Sequence, residues 1–484
     1  MKKLQLMAWP KLCSVLLLVA AALFTASCAR DGFDNDKSFE SDVQNAQLQS
    51  PSWLKHDASP DGESMTLTWE VVKGAGGYQL TVYKGKTEDQ IDTEILNTVV
   101  DGSMISDVPC AEDTYFKFIL KALGNPKAGN KEAIEAYVET WPNFQETYLT
   151  IPDGEDLATW FTTEDAEKPK IPGSDEVLYY TLAPNGNYTL NGKVDFGNQK
   201  AYIRAMSEDA PATITVGKST GYFLTGNALS FKNLNFDCSA VTTNDYALTT
   251  LSKTPDESLI IPTTENYAIK SPIAIQNCTF KMLPGKLISD QTSASYVIDN
   301  FLIKNCIIQF NNIDLGDKVG NCIDFVKTMT INFTVANSTL YNSGAAKNHY
   351  FAQISGTEPI KIPGYSEGVI KFTNNTFYNL AYEAPGFINS NTFYGKQDMK
   401  FNWVNNIFVD CGNGKIWEKL HNGYDLSNIS TRNNTYWYNG SIADEKYDAN
   451  VLLTDPDLTD PVNGDFTPRG SDQVTNKTGD PRWL

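Results

Sequence analysis

Between residues 229 and 436 the chain alternates apolar and polar positions in short runs, and seven of them close on one phrase: apolar, any, apolar, any, Asn, any, any, apolar. The copies are Leu229/Phe231/Asn233/Phe236, Ile273/Ile275/Asn277/Phe280, Phe301/Ile303/Asn305/Ile308, Phe333/Val335/Asn337/Leu340, Ile370/Phe372/Asn374/Phe377, Phe401/Trp403/Asn405/Phe408 and Ile429/Thr431/Asn433/Tyr436. Alternation with period two marks a strand with one buried face. Asn tolerates the left-handed backbone that a sharp corner demands, so each phrase predicts a strand and the corner that ends it. The Asn-to-Asn spacing ranges from 28 residues (Asn277 to Asn305) to 44 (Asn233 to Asn277), as expected for coils of a solenoid carrying loops of unequal length. Four of these Asn, at 277, 337, 374 and 433, also satisfy the N-x-[ST] glycosylation pattern, but their shared phase makes them corners.

Upstream the pattern changes. Residues 49–143 carry separate alternating strands, among them Leu67/Trp69/Val71, Tyr78/Leu80/Val82 and Phe116/Phe118/Leu120/Ala122, with turns such as Gly74 to Gly77. This predicts a small β-sandwich. Residues 28–48 are polar and acidic without apolar periodicity and read as a flexible tether. Residues 1–27 begin with Lys2, Lys3 and Lys11, which precede a short apolar stretch from Val15 to Phe24, followed by Thr25-Ala26-Ser27 and then Cys28. A positive start, an apolar run too short to span a bilayer and small residues at the cut predict an export signal. From 144 to 484 the chain is assigned to the solenoid: Trp160 and Phe161 lie in its capped entrance, and 463–468 with 479–484 would close its last coil.

These patterns carry resemblances. The small residues leading into Cys28 resemble a bacterial lipoprotein signal, which implies a lipid on Cys28, palmitate among its acyl chains, and an outer-membrane location facing the cell surface. Trp69, the Gly-Tyr-Gln-Leu-Thr-Val-Tyr run and the later Thr-x-aromatic alternation resemble a fibronectin type III module, with Phe116 at the tyrosine-corner position. The Asn repeat resembles the pectin-lyase-like right-handed parallel β-helix superfamily over about residues 170 to 470. The expected fold is therefore all-β, a right-handed parallel β-helix preceded by a fibronectin type III-like β-sandwich. The arrangement as a whole resembles surface lipoproteins of bacterial glycan-utilisation systems, which implies polysaccharide and outer-membrane glycan-uptake proteins as partners.

Composition narrows the chemistry. The net charge is −19, and Arg204, Arg432, Arg469 and Arg482 are the only arginines after residue 143, too few and too scattered for a basic patch, so nucleic acid is excluded as a partner. Acidic polysaccharides would be repelled unless a cation bridged their carboxylates. After Cys28 the cysteines lie at 110, 238, 278, 306, 322 and 411 with no zinc spacing. Cys278 and Cys306 follow the repeat Asn and should stack on neighbouring coils, as free thiols or as a disulfide.

The Asp-Asp pair and Gly-His-Gly of β-helix hydrolases resembling polygalacturonases do not occur in this chain. A lyase needs a Lys or Arg base, with Ca²⁺ or another cation withdrawing charge from a uronate. The local candidates are Asp314, Asp317, Asp324 and Lys327 (with Lys318 nearby), and two loop histidines, His349 and His421. No cofactor is certain, and Ca²⁺ is the one this group would take. The residue one step past each closing apolar position includes Tyr341, Tyr378 and Trp437, which strand alternation turns outward on one flank. Aromatic faces stack on the C–H faces of sugars, so this row, with Trp417 in the 414–423 loop, is the candidate glycan platform. The alternative is that loops fold over the rings as a second core. Three functions stay open: a lipid-anchored polysaccharide-binding accessory protein, a β-helix polysaccharide lyase, and a structural or adhesive surface protein.

Overall fold

The computed structural model describes residues 43–484 except 60–63, 166, 174, 291–293, 315–318, 383–385, 391–397, 421–425 and 444–446. Cys28, Asp317, Lys318 and His421 therefore lie outside the described residues. The chain divides into two compact units, one ending at Gln145 and the other beginning at Glu146.

The first unit is a sandwich of two antiparallel sheets. Leu54–Ala58, Ser64–Trp69 and Met104–Pro109 form one, and Gln90–Val100, Tyr78–Thr87, Thr114–Ala122 and Tyr137–Asn143 the other. Alternate residues of both sheets face inward, so Leu67, Trp69, Tyr78, Leu80, Val82, Phe116, Phe118 and Leu120 are almost fully buried. Phe116 has no hydroxyl to tie a corner. A tyrosine hydroxyl is nevertheless used: the Val72 amide donates to Tyr78 Oη at 2.7 Å. The expected tether ends earlier than residue 48, because Leu48 is buried, its amide donates to the Lys131 carbonyl at 3.1 Å, and the Asn45 amide donates to Ala128 at 2.9 Å. A polar segment without periodicity can still be held by backbone hydrogen bonds, which sequence pattern does not report.

The second unit is the parallel β-helix. Among the described residues its coils contribute to sheets of eleven, ten and seven strands. One coil shows the path: Met329–Ala336 in the eleven-stranded sheet, the corner at Asn337, Thr339–Asn342 in the ten-stranded sheet, then Ala352–Ile354 in the seven-stranded sheet. The repeats stack in phase, with Phe301, Phe333, Ile370, Phe401 and Ile429 paired in register from coil to coil. Inward side chains stack likewise, as Phe377 on Phe408 (5.0 Å between ring centroids) and Phe408 on Tyr436 (5.4 Å). Each fully buried Phe side chain contributes about 1.5–3 kcal/mol of hydrophobic stabilisation.

The seven repeat Asn all adopt left-handed backbone, with φ between 49° and 57°. Their side chains bond along the stack: Nδ2 of Asn277, Asn305, Asn374, Asn405 and Asn433 donates to Oδ1 of Asn233, Asn277, Asn337, Asn374 and Asn405, at 3.0–3.2 Å. The following residue forms a second, fully buried row. Asn375 Nδ2 donates to Asn406 Oδ1 (2.9 Å), Asn406 Nδ2 to Asn434 Oδ1 (2.8 Å), and Asn434 Nδ2 to the Asp448 carboxylate (2.6 Å). Further along the same row stand Ser338, Cys306 and Cys278, and both cysteines are free thiols. Burial pushes the Cys306 thiol up to about 12.

A short helix, Leu157–Thr162, covers the entrance with Leu157, Trp160 and Phe161 buried. Asp156 caps it by accepting from the Thr159 amide at 3.0 Å and also accepts from Thr189 Oγ1 and from the Asn191 amide and side chain. Burial raises its carboxyl, but these hydrogen bonds outweigh burial and hold it below its ordinary value of 3.8. The cap's contribution is therefore present above that value and lost as pH falls through the depressed one.

The C-terminal segment does more than close the last coil. From Gln473 to Trp483 it runs back along the outer face of the ten-stranded sheet: Gln473 Nε2 bonds Thr435 Oγ1, the Gly479 amide the Asn405 carbonyl, the Asp480 amide Thr376 Oγ1, and Trp483 Nε1 Thr339 Oγ1, at 2.8–3.1 Å. Thr339 Oγ1 also donates to Asp480 Oδ2 at 2.7 Å. The outward threonines of that sheet are the partners that draw the strap over it.

Candidate functional site

The aromatic row is in register as expected, since Gln309, Tyr341, Tyr378, Val409 and Trp437 pair from coil to coil. It is not an open platform. Tyr341 is only 8% exposed and lies 4.8 Å from the ring of Phe466, which comes from the strap strand Asp465–Pro468; Tyr378 is half-buried with Phe466 at 5.9 Å. The second core set out as the alternative is what the structure shows for these two rings, because outward direction on a strand does not mean exposure when later chain packs there. Trp437 is half-buried beside the short strand Ser441–Ile442. Trp417 is fully buried, stacked on Trp403 at 4.3 Å, and so belongs to the main core.

The acidic candidates are also rearranged. Asp314 is exposed on a loop, and the Lys327 side chain is exposed while its amide donates to Asp290 Oδ2 at 2.6 Å. Asp324 sits on the seven-stranded sheet, where Lys286 Nζ lies 2.9 Å from Oδ2 and Asn321 Nδ2 donates to Oδ1 at 2.8 Å. Asn321 also donates to Gln353 Oε1 at 3.2 Å. Ser289, Asp324, Gln353 and Asn389 are paired across successive coils, making a polar row on that sheet. Among the described residues no three His, Cys, Asp or Glu side chains stand close enough to hold a metal ion. Asp324 forms an ion pair with Lys286, which no sequence spacing links, while Asp317 and Lys318 of the group Asp314, Asp317, Asp324 and Lys327 lie outside the described residues. His349 is exposed, with its ring 4.4 Å from that of Tyr350.

A different aromatic pair lies at the turns that lead from the ten-stranded to the seven-stranded sheet. Tyr382 follows a turn in which Asn379 and Ala381 both have left-handed φ; Tyr438 ends the strand Thr435–Tyr438. Both are half-buried, and their ring centroids are 5.9 Å apart. Lys347 Nζ sits 4.6 Å over the Tyr382 ring and donates to Asn379 Oδ1 at 2.7 Å. Tyr438 Oη donates to Asn413 Oδ1 at 2.8 Å. Gly414, at φ 70°, lies flat on Tyr438, where an added Cβ would come within 2.8 Å of the ring. The Tyr382 hydroxyl beside it, then burial, raises the Tyr438 hydroxyl above its ordinary value. Sequence pattern missed this cluster because its residues come from turns of unequal length and share no repeat phase.

Three families, each described as a domain of unknown function, match successive parts of the chain: DUF4992 at residues 1–183, DUF4957 at 186–343 and DUF5123 at 370–483. No curated protein matches the sequence. Among solved structures the chain is similar to a PL6 family alginate lyase, AlyGC, at 14% identity and TM-score 0.35, the match covering 69% of this chain and 45% of that one. It is also similar to pectate lyase PelI from Erwinia chrysanthemi in complex with tetragalacturonic acid, at 12% identity and TM-score 0.14, covering 71% and 89%. The third likeness is to an Fn3-like protein from Clostridium thermocellum at 17% identity and TM-score 0.16, covering 20% of this chain and 95% of that one.

Proposed function

We propose that this protein binds polysaccharide at the Tyr382–Tyr438 pair and is held at the outer-membrane surface by a lipid on Cys28. The observation that carries the binding reading is two neighbouring half-buried rings with amides on either side, Asn379 and Asn413, and the Lys347 ammonium over one face. Tyrosine faces receive the C–H faces of sugars, while amides and an ammonium bond ring hydroxyls. Tyr382→Ala with Tyr438→Ala removes two stacking contacts of about 1 kcal/mol each, so affinity for the bound glycan should fall roughly 25-fold while the melting temperature holds. Retention of a panel of polysaccharides on immobilised protein measures this, and undiminished retention by the double variant sinks the site.

A lyase is the second reading, favoured by the Lys286–Asp324 pair with Asn321 and Gln353 on the seven-stranded sheet. Release of short unsaturated products from any polysaccharide of the panel would establish it. The anchor is tested separately: Cys28→Ala should abolish palmitate labelling and move the protein out of the membrane fraction, and persistent labelling would refute the lipid.

A further inference from the structure

A cleft of about 700 Å³ opens beside the eleven-stranded sheet, within the range of small-molecule sites. It is lined by Asp299 of the strand Ser295–Lys304, by Tyr365, Ile260 and Pro363 from two loops, and by Lys200 and Lys270. None of these belongs to the tyrosine site. Tyr365 Oη donates to Asp299 Oδ1 at 2.5 Å. Burial, foremost, raises the Asp299 carboxyl above its ordinary value of 3.8, opposed by the Tyr365 bond and by Lys270.

In a chain of net charge −19 this cleft places two ammonium groups against one carboxyl. Lys270 is exposed and forms no ion pair among the described residues, and Lys200 donates to the Asp175 backbone carbonyl, which leaves its charge uncancelled. Ile260, 44% exposed, and the exposed Pro363 add an apolar wall. An apolar wall suits the C–H face of a sugar ring, and lysine ammonium groups on the lining suit a carboxylate. An acidic sugar repelled by most of this surface would find its counter-charges here without a bridging cation.

We propose that this cleft binds a carboxylate-bearing sugar, a uronate residue of an acidic glycan, with Lys270 and Lys200 on the carboxylate and Ile260 and Pro363 against the ring. The proposal does not depend on the tyrosine pair. Isothermal titration of the purified full chain in a chelator, with a uronate trisaccharide, a neutral trisaccharide and a sulfated one, tests it. Saturable binding of the uronate alone is expected, weakened at least tenfold by Lys270→Gln and by Lys200→Gln. Asp299→Asn should keep or tighten it by removing a negative charge, and Tyr382→Ala with Tyr438→Ala should leave it unchanged. Equal binding of the neutral sugar, preference for the sulfated one, absence of binding, or indifference to both lysine variants would overturn the proposal. So would its loss in Asp299→Asn, which would mean that the Asp299 carboxyl, and not the lysine pair, holds the sugar.

Discussion

Asn406→Ala should lower the stability of the β-helix by about 3–5 kcal/mol, among the largest effects of any single substitution in this chain. The Asn406 side chain is fully buried and fully engaged. Its Nδ2 donates to the Phe372 carbonyl and to Asn434 Oδ1, and its Oδ1 accepts from the Asn375 amide and Nδ2. Alanine would leave several of these groups without a partner in the dry interior, at about 1–3 kcal/mol for each buried polar group left unsatisfied. Asn405→Gly is the comparison, because it keeps the left-handed corner at φ 57° and removes only the outer ladder bonds to Asn374 and Asn433. It should cost about 1–2 kcal/mol. Denaturant titration of the β-helix transition measures both, and a loss under about 1 kcal/mol for Asn406→Ala would show that the inner row contributes little.

Phe466→Ala should release the C-terminal strap, at a cost of about 3–4 kcal/mol for a fully buried phenylalanine. Phe466 is fully buried and is the point where Tyr341, Tyr378 and Trp483 converge, with ring centroids at 4.8, 5.9 and 5.8 Å. The rest of the strap is held by side-chain hydrogen bonds such as Gln473 to Thr435 and Trp483 to Thr339, each contributing about 1 kcal/mol net. Limited proteolysis should then cut within residues 453–484 while the coils stay resistant. A protection pattern like that of the unsubstituted chain would mean that the hydrogen bonds alone hold the strap. The same variant uncovers Tyr341 and Tyr378, so glycan retention that rises with it would return those rings to consideration as a platform.

The inner Asn row is written in the sequence, though not as a uniform repeat. The doublets Asn374-Asn375, Asn405-Asn406 and Asn433-Asn434 place a second amide at the same phase in three successive repeats. Its partners Ser338, Cys306 and Cys278 break the identity of the row, and so hid a position whose common property is small size and burial. The candidate sites were less legible. Tyr382 and Tyr438 meet where turns of unequal length leave the sheet, Asp324 meets a lysine 38 positions earlier in the chain, and the Asp299 cleft is assembled from strands and loops distant in sequence.

By itself the sequence determined the coil, its phase and its corners. Left-handed backbone at Asn and period-two burial are constraints each residue meets with its near neighbours, and repetition makes them additive along the chain. Only the tertiary structure decided which outward side chains meet solvent. The strap lies about a hundred residues or more from Tyr341 and Thr339 in the chain and meets them only because the coils stack, so a row that alternation turns outward became a second core. Exposure is a property of everything that packs on a surface, and local pattern carries no record of it.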